Sequence, residues 1–191
     1  LLLIWHLMQT GLGFGEAVRQ ASFNGVSIMT GTGYVSANFS AWGGFATTIL
    51  LIVMFIGGCG GSTTCGIKVF RLQVLASTAK VQISRLLRPH AVVLAYYNKR
   101  PVSVEVMDSV MGFFYLFILG FVLIAIMLGM AGLDFVTALS GAATSISNVG
   151  PGLGEVIGAD GNFSTLPDSA KWIMSFAMLL GRLEIFTVLV M

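Results

Sequence analysis

Charge is what this chain has least of. Only 9% of its 191 residues are Asp, Glu, Lys or Arg, against about a quarter in an ordinary soluble domain. Hydrophobic residues reach 56% and the mean hydropathy is +0.92. A water-facing globule is excluded by these values, and the bilayer becomes the solvent to reason with. Two cysteines and two histidines leave little for metal chemistry. Cys59 and Cys65 would need further ligands for zinc, none lies near them in sequence, and they are read as free thiols. His6 and His90 have no partner in the sequence and are read as interfacial. No serine–histidine–acid set and no paired carboxylates suggest catalysis, so an enzyme is not expected. The length accommodates a few membrane passes and leaves no room for a second soluble domain.

The scarce charge is unevenly placed. Of ten Lys and Arg, seven (Lys68, Arg71, Lys80, Arg85, Arg88, Lys99 and Arg100) fall between residues 68 and 100. By the positive-inside rule this segment faces the cytoplasm. A nucleic-acid partner is not expected of such a run in so apolar a chain. The first residues, Leu1-Leu2-Leu3-Ile4-Trp5, lie inside an apolar run without the basic start of a signal peptide, and the last, Val188-Leu189-Val190-Met191, end without a polar cap. The sequence is therefore read as a segment of a longer protein.

Along the chain, Leu1 to Met8 reads as the end of a membrane helix and Gly11 to Gly15 as a turn. Glu16 to Met29 is moderately apolar and too short for a bilayer that needs about 20 residues, which predicts a re-entrant half-helix. The polar turn Thr30-Gly31-Thr32-Gly33-Tyr34 follows, then an apolar run from Trp42 to Ile56. Five glycines in the ten residues Gly57-Gly58-Cys59-Gly60-Gly61-Ser62-Thr63-Thr64-Cys65-Gly66 interrupt any helix, and helical periodicity resumes at Ile67. In the second part, Val106 to Met130 is a full span and Asp134 to Ile146 a second short half-helix. Ser147-Asn148-Val149-Gly150-Pro151 is a second polar turn, and Trp172 to Met191 a last span with Arg182 at its middle.

The pattern span, half-helix, polar turn, span thus recurs. Gly33 and Gly150 are 117 residues apart (150 − 33), and the same offset pairs Thr30 with Ser147. Repeated units are a known way to build a central pathway through a membrane. With the basic segment inside, each half-helix enters from the outer face and aims its partly negative C-terminal end at the membrane interior, where it favours a cation. Backbone carbonyls converge on an ion only where the chain is uncrowded and lines water rather than lipid. The bland alternative, that both turns merely connect helices, does not account for their recurrence in matched context. The fold class is accordingly an all-α membrane protein of repeated span, pore half-helix, filter turn and span units.

The segments Met29-Thr30-Gly31-Thr32-Gly33-Tyr34, Gly57 to Lys68, Asn148-Val149-Gly150-Pro151-Gly152-Leu153-Gly154 and Gly181-Arg182-Leu183-Glu184-Ile185-Phe186-Thr187 together resemble the TrkH/KtrB superfamily of potassium transport proteins. The last two lean towards its TrkH branch. The resemblance implies potassium uptake through a pore ringed by four non-identical repeats, with K⁺ as cargo and no cofactor. It aligns this chain with the C-terminal half, residues 1–101 as the third repeat and 102–191 as the fourth. Filter residues would then be Thr30, Gly31, Thr32 and Gly33, with Ser147, Asn148, Val149 and Gly150. Gly31 stands where related chains often carry Thr, which would remove one hydroxyl ligand and soften selectivity. Implied partners are membrane lipid, the N-terminal half, a second copy in a homodimer, and a cytoplasmic nucleotide-binding subunit of the TrkA type meeting the Lys80 to Arg100 segment. The location implied is the cell inner membrane.

The same resemblance makes Gly57, Gly58, Gly60, Gly61, Ser62, Thr63, Thr64 and Gly66 an intramembrane gating loop. A phosphate-binding loop is excluded because Ile67 separates Gly66 from Lys68 and Val69 follows; a plain helix break is the alternative. Arg182, costly at about 2.5–3.5 kcal/mol in lipid unless it faces protein or water, is expected to donate to this loop and hold it shut. A pair with Glu184 is disfavoured, since residues two apart on a helix face different ways. Gly11-Leu12-Gly13-Phe14-Gly15 lacks the strand and spacing of a dinucleotide turn. Glu16 and Asp134 are read as complementing half-helix N-termini, and Asp160 and Asp168 as weak cation attractors in the outer loop. An ion-coupled carrier that binds its substrate at the same turns is the competing function.

Overall fold

The structure, a computed structural model, describes residues 1–59, 62, 64–88 and 94–183. The 27-residue helix α5 (Val104–Met130) is the one described helix long and apolar enough to cross a membrane. At 1.5 Å per residue it measures about 40 Å, more than a ~30 Å hydrocarbon core. It starts two residues before the expected Val106, because the Ser103 hydroxyl accepts the Val106 N–H at 3.5 Å and caps the helix.

Before α5 come α1 (Leu2–Gln9), α2 (Phe14–Thr30), α3 (Gly44–Phe55) and α4 (Val69–Leu87). After it come α6 (Phe135–Ser147) and α7 (Asp168–Arg182). Helix α2 has 17 residues and α6 has 13, too few to span, as expected of half-helices. The glycine-rich stretch separates helices α3 and α4. Arg182 closes the described part of α7, in its last turn. The expected span to Met191, the possible Glu184 pair and His90 involve residues outside those described.

Two hydrophobic cores form, and each recruits residues from the other unit. Leu7, Ala17, Ile28 and Leu50 pack with Ala143, Val149 and Leu153. Phe113, Phe117, Leu128, Ile146 and Met174 pack with Ile67. Phe55 bridges the two, with its ring edge-on to Phe121 at 5.0 Å and to Phe117 at 6.0 Å. From Thr137 to Ser147 all residues but Leu139 are buried, whereas α5 leaves Ile118, Leu123 and Ile126 exposed. A helix with an apolar exposed face is what lipid contact demands; α6 is instead enclosed by protein.

Three details depart from the sequence reading. A two-residue antiparallel ladder, β1 (Tyr96–Tyr97) with β2 (Arg100–Pro101), closes through Asn98 and Lys99, both at positive φ (47° and 63°), as a type I′ turn requires. Arg71, grouped with the cytoplasmic charges, is buried, with its guanidinium 4.0 Å from the centroid of the Phe113 ring. His6 has a partner, its Nε2 lying 2.7 Å from the Trp42 carbonyl, with its ring against Phe45.

Asp134 is the N-cap of α6, its carboxylate accepting the Thr137 N–H at 3.2 Å. Its pKa is lowered from 3.8, chiefly by the Thr137 side chain, opposed in part by desolvation and reinforced by the Thr137 and Val136 N–H groups. A depressed carboxyl stabilises the fold above its unfolded pKa and loses that contribution as pH falls through the folded value. Because Asp134 is the N-cap, Asp134→Ala should cost about 1 kcal/mol at neutral pH, and Asp134→Asn less. The advantage of Asp over Asn should vanish in acid below 3.8. Thermal unfolding in detergent across pH checks both.

Candidate ion-conduction site

Each half-helix ends in a left-handed residue. Gly31 caps α2 at φ 69° and Asn148 caps α6 at φ 51°, and these positions are 117 apart (148 − 31). Two residues further, Gly33 (φ 77°) and Gly150 (φ 115°) again turn left-handed. The sequence offset is thus a conformational repeat.

Both turns fold back on the helix they leave. The Ser27 carbonyl accepts from the Thr32 N–H at 3.0 Å and the Gly33 N–H at 3.3 Å; the Thr144 carbonyl accepts from the Val149 N–H at 3.0 Å. In a trans peptide the C=O points opposite to the following N–H. Tying down these N–H groups therefore directs the carbonyls of Gly31, Thr32 and Asn148 away from their own helices. The direction shows across the gap. A Cβ built on Gly31 would sit 3.3 Å from the Asn148 carbonyl oxygen, and one on Gly33 only 2.6 Å from that of Val149. Gly33 is accordingly a position that tolerates no side chain, on grounds of both φ and space.

The structure therefore brings together Gly31, Gly33, Asn148, Val149 and Gly150, from turns far apart in sequence. Thr30 and Thr32 are exposed, their hydroxyl oxygens 2.8 Å apart. Ser147 differs from its counterpart Thr30: it is 2% exposed, and its buried hydroxyl has no hydrogen-bond partner among the described residues. Only its backbone lies beside this group of turn residues.

Sequence reading missed the residues that brace these turns. Asn24 is fully buried and grips Ser36 twice, Nδ2 donating to Ser36 Oγ at 3.0 Å and Oδ1 accepting the Ser36 N–H at 3.1 Å. Asn148 Nδ2 donates to the Met178 carbonyl at 3.0 Å, tying the second turn to α7. The segments that follow the two turns are joined: Ser40 Oγ donates to the Gly154 carbonyl at 2.9 Å, and Asn38 Nδ2 donates to Asp160. Asp168 opens α7 and pairs with Lys171 at 3.2 Å; Glu16 lies in the first turn of α2.

The glycine-rich stretch leaves α3 about 18 Å along its axis from the turn side and forms a loop pinned at its neck. Gly57 N–H donates to the Ile67 carbonyl at 2.9 Å, and Ile67 N–H to that of Phe55 at 2.8 Å. Within the loop, hydroxyls replace helical partners. Thr64 Oγ1 accepts the Gly58 N–H at 2.8 Å and donates to Ser62 Oγ at 3.1 Å. Gly66 is left-handed at φ 81°. Gly60, Gly61 and Thr63 lie outside the described residues. Arg182 Nη1, from α7, reaches the loop and donates to Cys65 Sγ at 3.4 Å. This contact joins Arg182 to the loop through a thiol.

Two helices too short to span a bilayer, each ending in left-handed turns, and two further helices separated by a glycine-rich stretch, define an all-α membrane protein of channel-like transporter architecture. Known proteins agree. Residues 10–191 match the TrkH cation transport protein family. The Trk system potassium uptake protein TrkI of Halomonas elongata is 46% identical over 190 residues, covering 100% of this chain and 38% of that protein. TrkH of Escherichia coli (strain K12) is 37% identical over 174 residues, covering 91% and 35% respectively. The crystal structure of the potassium transporter TrkH from Vibrio parahaemolyticus superposes with a TM-score of 0.89 at 37% identity, over 99% of this chain and 40% of that one. The chain belongs to the TrkH family of cation transport proteins, multi-pass proteins of the inner membrane. It spans well under half the length of these relatives.

Proposed function

We propose that this chain supplies two of the four filter strands of a potassium-uptake pore, as the third (residues 1–101) and fourth (102–191) repeats of a C-terminal half. The observation that carries the reading is the meeting of the two turns, Gly33 against the carbonyl of Val149. Partial negative charge at the C-terminal ends of α2 and α6 adds to the carbonyl field, and both favour a cation that has shed part of its water. Gly31, Thr32, Gly33, Asn148, Val149 and Gly150 contribute backbone, and Thr30 and Thr32 add accessible hydroxyls. Two strands do not surround an ion, so selective conduction needs the N-terminal half.

Beneath the filter, the loop from Gly57 to Gly66 is the gate and Arg182 its latch. The basic segment faces the cytoplasm, where Lys80 to Arg100 offer a docking face to a TrkA-type nucleotide-binding subunit. The same proposal includes a homodimer with one pore per subunit.

Potassium and sodium flux into liposomes carrying the full-length protein, with and without Gly150→Ser, tests the pore. Selective K⁺ flux that loses its preference in the variant supports it. Flux indifferent to the substitution would make the turns structural connectors. Saturating flux stoichiometrically coupled to a second ion would favour a carrier.

A further inference from the structure

What fixes the direction of the filter carbonyls is a pair of hydroxyl residues that recur at one position of the repeat. Ser27 and Thr144 are 117 apart (144 − 27) and are 6% and 3% exposed. Each sits one turn before the end of its half-helix, and each carbonyl already receives N–H groups from its filter turn. The side chains add a second tie, with opposite polarity. Ser27 Oγ donates to the Tyr34 carbonyl at 2.6 Å. Thr144 Oγ1 accepts the Gly150 N–H at 3.0 Å.

Resting on the filter reading above, we propose that Ser27 and Thr144 are positioning residues that set the ion preference of this pathway. The Gly150 N–H and the Val149 carbonyl belong to one peptide plane and point in opposite directions. With the N–H held by Thr144, the Val149 oxygen faces Gly33, where it is found. Released from Thr144, that peptide is free to rotate, because Gly150 has no Cβ to resist. The carbonyl would then leave the ion path and an N–H would take its place. Ser27 acts at the other boundary. Its proton turns the Tyr34 carbonyl towards α2, which ends the run of ion-facing oxygens after Gly33. The two side chains thus define which carbonyls belong to the filter, without touching the ion.

The test is the K⁺/Na⁺ permeability ratio of the full-length protein in liposomes, alongside total cation flux. Thr144→Val keeps the shape and removes the acceptor, and should lower the ratio by roughly tenfold, the effect of one net hydrogen bond. Thr144→Ser restores an acceptor and should restore the ratio. Ser27→Ala frees the Tyr34 carbonyl, should shift the ratio by a smaller factor, and serves if Thr144→Val does not fold. Gly150→Ser is the control. A ratio that changes in Gly150→Ser but not in Thr144→Val or Ser27→Ala overturns the positioning role and leaves the pore standing. A ratio unchanged in all of them overturns the filter reading itself.

Discussion

Arg182→Ala is expected to raise K⁺ flux by on the order of tenfold, the scale of one net hydrogen bond acting on a gate equilibrium. The guanidinium leaves the last turn of α7 and donates to the Cys65 thiol in the second limb of the glycine loop. That loop is pinned at its neck by the Ile56–Ile67 bridge, so its free part is what Arg182 restrains. A positive group beside a cation path also repels the cargo, and the two effects are separable. Cys65→Ala removes this contact and keeps the charge, so a rise in the same direction as that of Arg182→Ala assigns the effect to the latch. Arg182→Lys keeps a point charge without the planar fork; flux as low as in the unaltered protein would assign it to electrostatic repulsion. Flux unchanged in Arg182→Ala would sink both.

Much of this arrangement was legible because its signals are local. A helix too short to span, followed by a glycine turn, is recognisable within about twenty residues, and α2 and α6 begin and end within two residues of the expected bounds. The offset of 117 was visible in Gly33 and Gly150, and it also pairs Ser27 with Thr144, a signal that could have been read and was not. A hydroxyl inside an apolar half-helix carries no mark of its role until the chain folds back upon it. Asn24 is of the same kind: its bonds to Ser36 need a turn whose path the sequence leaves undetermined. Arg71 shows the opposite failure. Among six other cations it reads only as part of a cytoplasmic basic segment, and the Phe113 face that covers it is 42 residues away (113 − 71). The hairpin at Tyr96 to Pro101 escaped notice because Lys99 holds the place where glycine would signal a type I′ turn.

Gly181→Ala is expected to damage the protein most severely, and to do so at the filter. A Cβ at Gly181 would lie 1.9 Å from the Ile146 carbonyl oxygen and 3.0 Å from Asn148 Nδ2. The obstruction is backbone at the end of α6, so no rotamer change relieves it, and overpacking of this kind costs about 1–3 kcal/mol or more. Helix α7 would have to move off α6, stretching the bond from Asn148 Nδ2 to the Met178 carbonyl that braces the second turn. The same movement would carry the adjacent Arg182 away from Cys65. One methyl group should therefore lower thermal stability in detergent and reduce K⁺ over Na⁺ preference, while basal cation leak rises through the released loop. Asn148→Gly separates these consequences: it keeps the left-handed cap and removes the tie to α7. Selectivity should fall in that variant while stability and the Arg182 contact are retained. A Gly181→Ala protein with normal stability and selectivity would show that α7 does not press on the filter turn.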